Sequence, residues 1–187
     1  MPRTVAFCTL GCKVNQYDSQ AMLERFEEAG YAAAPFSSPA DVYVINSCTV
    51  TGTGDKKSRQ MVRRANKQNP EAAIVVTGCL AQRSAEAMLL PGVQLVLGTQ
   101  RRGEVVTLLS RALSQGKPLI AVEPLEGAPF EALTVRRSEG RARATLKIQE
   151  GCENRCAYCI IPSVRGPIRS RPLREVREEA QRLSDAG

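Results

Sequence analysis

The chain contains no histidine and no tryptophan. Without histidine there is no Ser-His-Asp or Cys-His catalytic pair, no imidazole-ligated zinc, and no general base of the commonest kind. Any chemistry must come from cysteine, from carboxylates or from a bound group. Aromatic residues make up only 4% of the chain, too few for the stacking platform that usually binds single-stranded nucleic acid. No apolar run approaches the length of a membrane span, and the first 30 residues lack a signal-peptide layout. Positive charge and cysteine, by contrast, are plentiful. The 26 basic residues against 19 acidic ones leave a net charge of +7, which fits a polyanionic partner such as nucleic acid. Seven cysteines, an odd number with no export signal, point to the reducing cytosol, where thiols serve as metal ligands or reactive groups. With 187 residues, 43% of them hydrophobic, the chain can form one domain with a sizeable core and part of a second.

Strand and helix signals alternate through the first 120 residues. Thr4–Leu10, Val42–Asn46, Ala73–Gly78 and Gln94–Gly98 are short apolar runs with the look of buried strands. Between them, Gln16–Ala29 carries Met22, Leu23 and Phe26 at helical spacing and stops at Gly30. A basic helix is expected over Gly54–Lys67, and another near Glu104–Ser114. Apolar, non-alternating strands separated by helices predict a parallel sheet covered by helices on both faces. The expected division is a first domain over residues 1–122, a linker over 123–141 and the beginning of a second domain over 142–187. The linker holds Pro124, Gly127 and Pro129 and shows no period. After it, a strand over Ala144–Glu150, a cysteine-rich loop and a helix over Leu173–Leu183 form one strand–loop–helix unit. A full barrel of such units needs on the order of 250 residues, so the chain reads as a fragment that ends soon after its second domain has begun.

Two cysteine sets carry the chemical signal. Cys152, Cys156 and Cys159 lie in GCENRCAYCIIP with C-x3-C-x2-C spacing. One short loop can thus offer three thiolates to a cubic iron–sulfur cluster and leave its fourth iron free for a small molecule. A zinc knuckle is the competing reading, but three cysteines without histidine leave zinc one ligand short. Cys12, Cys48 and Cys79 are far apart in sequence, yet each falls one or two residues beyond the end of an expected strand. The loops at the carboxyl ends of parallel strands gather along one sheet edge, where such folds place ligands. A single cysteine there reads as an inert core residue, whereas three at the same topological place point to a shared ligand. Gly11, Ser47 and Gly78, which precede them, are small enough to let the backbone come close. Cys8, inside the first strand, is expected in the core.

The run GCENRCAYCIIP, with Tyr158 just before its third cysteine, resembles the signature of radical S-adenosylmethionine enzymes. That resemblance implies a 4Fe-4S cluster on Cys152, Cys156 and Cys159 whose free iron binds S-adenosylmethionine, with Tyr158 part of the cofactor-binding signature. Taken with CTLGCKVNQYDSQ, NSCTV, TGC and the continuation IIPSVRGPIRSRP, in this order and spacing, the whole chain resembles the methylthiotransferases. The resemblance implies a flavodoxin-like amino-terminal domain with a second 4Fe-4S cluster on Cys12, Cys48 and Cys79, followed by the first unit of a partial barrel. It further implies that one S-adenosylmethionine methylates sulfur attached to the second cluster while another supplies the radical that abstracts hydrogen from the substrate carbon. An electron donor such as flavodoxin or ferredoxin, and a cytoplasmic location, are implied as well. Substrates in that family are an adenosine beside the tRNA anticodon or an aspartate of a ribosomal protein. GCKVNQYDSQ looks like the branch that modifies carbon two of threonylcarbamoyladenosine. The isopentenyladenosine branch usually has Gln-Met after that cysteine and the ribosomal-protein branch Pro-Lys, where this chain has Lys13-Val14. The alternatives are those two branches, a different radical enzyme in which the first cysteine set is structural, and a non-catalytic iron–sulfur module that binds RNA. A fragment ending at Gly187 is expected to be inactive alone, since most of the barrel would lie beyond it.

The basic residues fit RNA. Lys56, Arg59, Arg63 and Lys67 fall at helical spacing on one face of the second helix, which is equally consistent with a solvated surface. Arg165, Arg169 and Arg171, with Arg174, follow the C-x3-C-x2-C loop, where they would meet an anionic substrate or a cofactor carboxylate.

Overall fold

The structure, a computed structural model, describes residues 2–50, 52–136 and 144–185. Six strands form one sheet: β1 (Thr4–Thr9), β2 (Ala32–Ala34), β3 (Val42–Ser47), β4 (Ala73–Gly78), β5 (Val93–Leu97) and β6 (Leu119–Ala121). Their order is β2-β1-β3-β4-β5-β6, and every neighbouring pair is parallel. Every residue of β3 and β4 is buried, which is why the sequence shows unbroken apolar runs there instead of alternation. The winding runs from β1 outward to β2, then returns past β1 to β3 and onward. That is the flavodoxin-like order, and it reverses direction between β1 and β3.

Four helices cover the sheet: α1 (Lys13–Glu28), α2 (Gly52–Gln68), the short α3 (Cys79–Arg83) and α4 (Val105–Gln115). Successive strand residues point to opposite faces, and the two halves of the core separate accordingly. Tyr43, Ile45, Ile74 and Val76 pack with Val62 and Ala65 of α2 and Leu80 of α3. Val42, Val44, Val75 and Leu95 pack on the other side with Met22 and Phe26 of α1 and Leu108 and Leu109 of α4. Both faces are therefore covered, as the sequence predicts. The expected strands and helices of this region appear with their ends shifted by no more than three residues, and β4 with none. The edge strands β2 and β6 were not anticipated.

The carboxyl-terminal part differs more from expectation. A strand over Ala144–Glu150 is reduced to β7 (Gln149–Glu150), paired antiparallel with β8 (Arg169–Ser170). Backbone groups make a strand only where a neighbour takes up their hydrogen bonds, and here that neighbour is two residues long. Between the two strands lie an irregular loop with the three cysteines and the short α5 (Ile161–Arg165); α6 (Leu173–Asp185) follows. Within the expected linker, Leu125, Leu133 and Val135 are buried, while its positions 137–141 and the start of the next segment at 142–143 lie outside the described residues. Leu133 and Val135 form a small second core with Tyr17 and Ala21 of α1 and Leu183 of α6. Beneath it the Tyr17 hydroxyl donates to Glu179 Oε1 at 2.8 Å. The amino- and carboxyl-terminal parts are thus packed against each other. Among the described residues no helix is long and apolar enough to cross a membrane.

Candidate functional site

Three cysteines stand on three turns at the carboxyl edge of the sheet. Cys12 caps α1, Cys48 follows β3 directly, and Cys79 opens α3 immediately after β4. All three line one cavity of about 190 Å³, shared with Asn15, Glu150 and Arg165. Cys12 and Cys48 flank the place where the winding of the sheet reverses, the usual ligand crevice of this strand order. Cys12 is exposed, whereas Cys48 and Cys79 are buried.

Close backbone packing holds this edge together. Gly11 has φ +98°, and a Cβ there would lie 2.9 Å from the Cys48 sulfur. Gly78 has φ +92°, and its Cβ would fall 2.4 Å from Asn46 Oδ1 and 2.5 Å from the Ser47 carbonyl. Only glycine fits either place without displacing its neighbours. Asn15 is buried and ties two turns together, its Nδ2 donating to the Leu10 carbonyl at 2.7 Å and the Ser47 carbonyl at 3.0 Å. Asn46 Nδ2 donates in turn to the Asn15 carbonyl at 2.9 Å.

Burial pushes the Cys79 thiol up, and the positive charge of the nearby Arg165 pulls it back down in part. Cys8 is half-buried against the core, as expected, and burial raises its thiol too. Arg165 is 4% exposed and comes from α5, six residues beyond Cys159. Its guanidinium donates to Asp18 Oδ2 at 2.9 Å, and also to Glu150 and to the Asn15 side-chain oxygen. The same two carboxylates hold Lys147, whose Nζ is 2.9 Å from Asp18 Oδ1 and 2.8 Å from Glu150 Oε2. They hold Arg102 as well, which reaches Glu131 at 2.8 Å through Nε. Burial favours the neutral form of Asp18, but Arg102, Lys147 and Arg165 together outweigh it and hold the carboxyl below its usual range. Glu150 is depressed for the same reasons.

Sequence reasoning missed this network entirely. It also expected Arg165, Arg169 and Arg171 to meet an anionic substrate or a cofactor carboxylate; the structure places all three in buried positions. Arg165 is committed to Asp18 and Glu150, and Arg171 is paired with Glu175 and Glu179. Arg169 donates to the Arg165 carbonyl, while its Nε and Nη1 have no partner among the described residues. The only hint in the sequence was the position of the carboxylates: Asp18 and Glu179 each sit on the apolar side of a helix. Lys56, Arg63 and Lys67 are exposed on α2, opposite its buried Ser58, Val62 and Ala65. Arg59, half-buried, donates to the Ala87 carbonyl at 2.5 Å.

The second cysteine set occupies the irregular stretch 151–160. Cys156 is exposed, Cys152 and Cys159 are half-buried, and Tyr158 is 93% exposed. The Cys159 amide donates to the Cys156 carbonyl at 2.9 Å, closing a turn between the two. Cys152 borders a second cavity, of about 470 Å³, together with Glu153, Arg155, Pro124 and Gln82. Among the described residues, no three cysteine or carboxylate side chains converge closely enough to hold a single metal ion.

Residues 4–98 match the profile of a family described as uncharacterized protein family UPF0004. The chain is 53% identical over 98% of its length to the threonylcarbamoyladenosine tRNA methylthiotransferase MtaB of Bacillus subtilis (strain 168), covering 41% of that protein. It is 39% identical to the enzyme of the same name from Aquifex aeolicus (strain VF5), over 98% of this chain and 45% of the relative. The ribosomal protein uS12 methylthiotransferase RimO of Pelotomaculum thermopropionicum matches at 38%, over 98% of this chain and 42% of that one. The chain therefore spans a little under half the length of these relatives. It belongs to the UPF0004 family and, among its methylthiotransferases, is most like the threonylcarbamoyladenosine tRNA branch.

Proposed function

We propose that this chain is the amino-terminal part of a methylthiotransferase that adds a methylthio group to carbon two of threonylcarbamoyladenosine in tRNA, and that it works in the cytoplasm. The observation that carries the reading is the shared cavity of Cys12, Cys48 and Cys79, three thiols brought from three strand ends to one place. Thiols spread around a cavity suit a 4Fe-4S cluster better than a single ion, because each cluster iron takes its own thiolate at a separate corner. In this reading Cys12, Cys48 and Cys79 hold one cluster. Cys152, Cys156 and Cys159 hold the other, and the cavity beside Cys152 leaves room for S-adenosylmethionine. When bound, these groups supply the radical and sulfur-transfer chemistry, drawing electrons from a donor of the flavodoxin or ferredoxin type.

The protein's own contribution is placement and charge. Asn15 and the backbone at Gly11 and Gly78 fix the three thiols, and Arg165 sets a cation beside them. The exposed Lys56, Arg63 and Lys67 on α2 offer phosphate contacts on a surface free of competing packing. A buried, carboxylate-paired guanidinium cannot do the same, so Arg165 and Arg171 are assigned structural and electrostatic roles rather than contact with RNA, and Arg169, buried beside them and bonded to the Arg165 carbonyl, is grouped with them. The test is iron and sulfide per chain after anaerobic reconstitution, with and without alanine at Cys12, Cys48 and Cys79. About eight irons falling to about four supports two clusters. A count that does not change with the substitution returns those cysteines to the core and refutes the reading.

A further inference from the structure

The most unusual occupant of the cysteine cavity is a buried guanidinium. Arg165 lines it together with Cys12, Cys48 and Cys79, yet it comes from the segment that carries the other cysteine set. Asp18, Glu150 and Asn15 hold its fork from three sides, so it cannot swing away without breaking buried hydrogen bonds. The charges around it do not cancel. Among the described residues the cluster contains four cations, Arg102, Lys147, Arg165 and Arg169, against three carboxylates, Asp18, Glu131 and Glu150. One positive charge is left over, and Arg169 shows the same surplus as two donor nitrogens without partners. An excess cation in a dry site is costly unless an anion lies beside it. Three thiolates on a 4Fe-4S core in its common dicationic state carry a single net negative charge, which would complete the balance.

We propose that Arg165 is a positioning residue that sets the reduction potential of the group held by Cys12, Cys48 and Cys79. This rests on the cluster assignment made above. A fixed cation next to a cluster sulfur stabilises the reduced, more negative state, and hydrogen bonds to cluster sulfurs act in the same direction. The amino-terminal site is then electrostatically complete only when the 144–185 segment is docked on the sheet, and the two cysteine sets depend on each other through one side chain.

The test uses the full chain with alanine at Cys152, Cys156 and Cys159, so that a single cluster is read. Arg165→Met and Arg165→Lys are compared with this parent by iron content and by redox titration followed by electron paramagnetic resonance. Arg165→Met is expected to keep about four irons while its one-electron reduction equilibrium shifts at least tenfold toward the oxidised form, about 59 mV lower in potential. Arg165→Lys, which keeps the charge but loses the fork, is expected to fall between the two. A loaded Arg165→Met variant with the potential of the parent overturns the proposal. Should Arg165→Met fail to hold iron, Arg165→Gln, which keeps hydrogen-bond donors without the charge, decides: a lowered potential supports the proposal and an unchanged one overturns it. A parent without any cluster instead refutes the cluster assignment itself, and this inference falls with it.

Discussion

Replacing Asp18 with asparagine removes the carboxylate at the centre of the buried charge cluster while barely changing its shape. Asp18 is 1% exposed and accepts from Arg102, from Lys147 at 2.9 Å and from Arg165 at 2.9 Å. Its loss leaves those three cations facing Glu150 and Glu131 alone. Breaking a buried ion pair in this way costs about 3–5 kcal/mol, because a charge stranded out of water has nothing to offset its lost hydration. With a urea slope of about 2–3 kcal/mol per M for a chain of this size, the unfolding midpoint of the apo chain should fall by about 1–2.5 M. Acid dependence gives an independent check. Both Asp18 and Glu150 have carboxyls held below their ordinary values in the folded chain. The stability they contribute is therefore complete above about pH 4, the ordinary carboxylate range, and drains away as pH falls toward their folded values. Asp18→Asn should flatten that acid limb as well as lower the plateau. Adding Lys147→Met removes one stranded cation and should recover part of the loss, with a coupling of about 0.5–3 kcal/mol. A midpoint that moves by less than about 0.3 M in Asp18→Asn would show that the cluster is hydrated, and the argument for its energetic weight would fail.

Two further substitutions probe other links of the structure. Tyr17→Phe removes the hydroxyl whose one proton lies between two acceptors, the Leu133 carbonyl at 2.7 Å and Glu179 Oε1 at 2.8 Å. It should cost about 1–3 kcal/mol, seen as a thermal midpoint several degrees lower, and an unchanged melt would mean that α6 is not held there. Gly78→Ala places a methyl 2.4 Å from Asn46 Oδ1 on a backbone at φ +92°. It should cost about 1–3 kcal/mol in backbone strain and cut the reconstituted iron by about half with the circular dichroism spectrum retained; full iron would show that the Cys79 turn tolerates movement.

Much of this architecture is legible in the sequence, because its strongest signals are local. The apolar runs at Val42 and Ala73 declare strands buried on both faces, and Gly30 marks the end of the first helix. Topology then does the rest for the cysteines: once strands are parallel, their carboxyl ends share an edge, so Cys12, Cys48 and Cys79 can be placed together without any contact being known. The edge strands escaped because three residues carry no period, and Ala32–Ala34 has no side chain that favours a strand. Arg165 escaped for a different reason. A sequence shows that a residue is charged but not which distant partner neutralises it, and Asp18 is 147 positions away. Arginines after a cysteine-rich loop read naturally as substrate contacts, and only the fold reveals that Arg165, Arg169 and Arg171 are buried.

The span of that network also bears on how the chain is made. Asp18 leaves the ribosome early, and Arg165 emerges 147 residues later. At about 5–20 residues per second this is a wait of about 7–30 s. Once Val122 has emerged, well before Arg165, β1 to β5 and their helices have all the apolar partners they need, because both main cores are built from residues before Val122 or at it. The sheet can thus be assembled as an oily framework first, with Asp18 still hydrated at its edge. The arriving 144–185 segment then meets a prepared anionic socket, and in the nascent chain the electrostatic step follows the hydrophobic one.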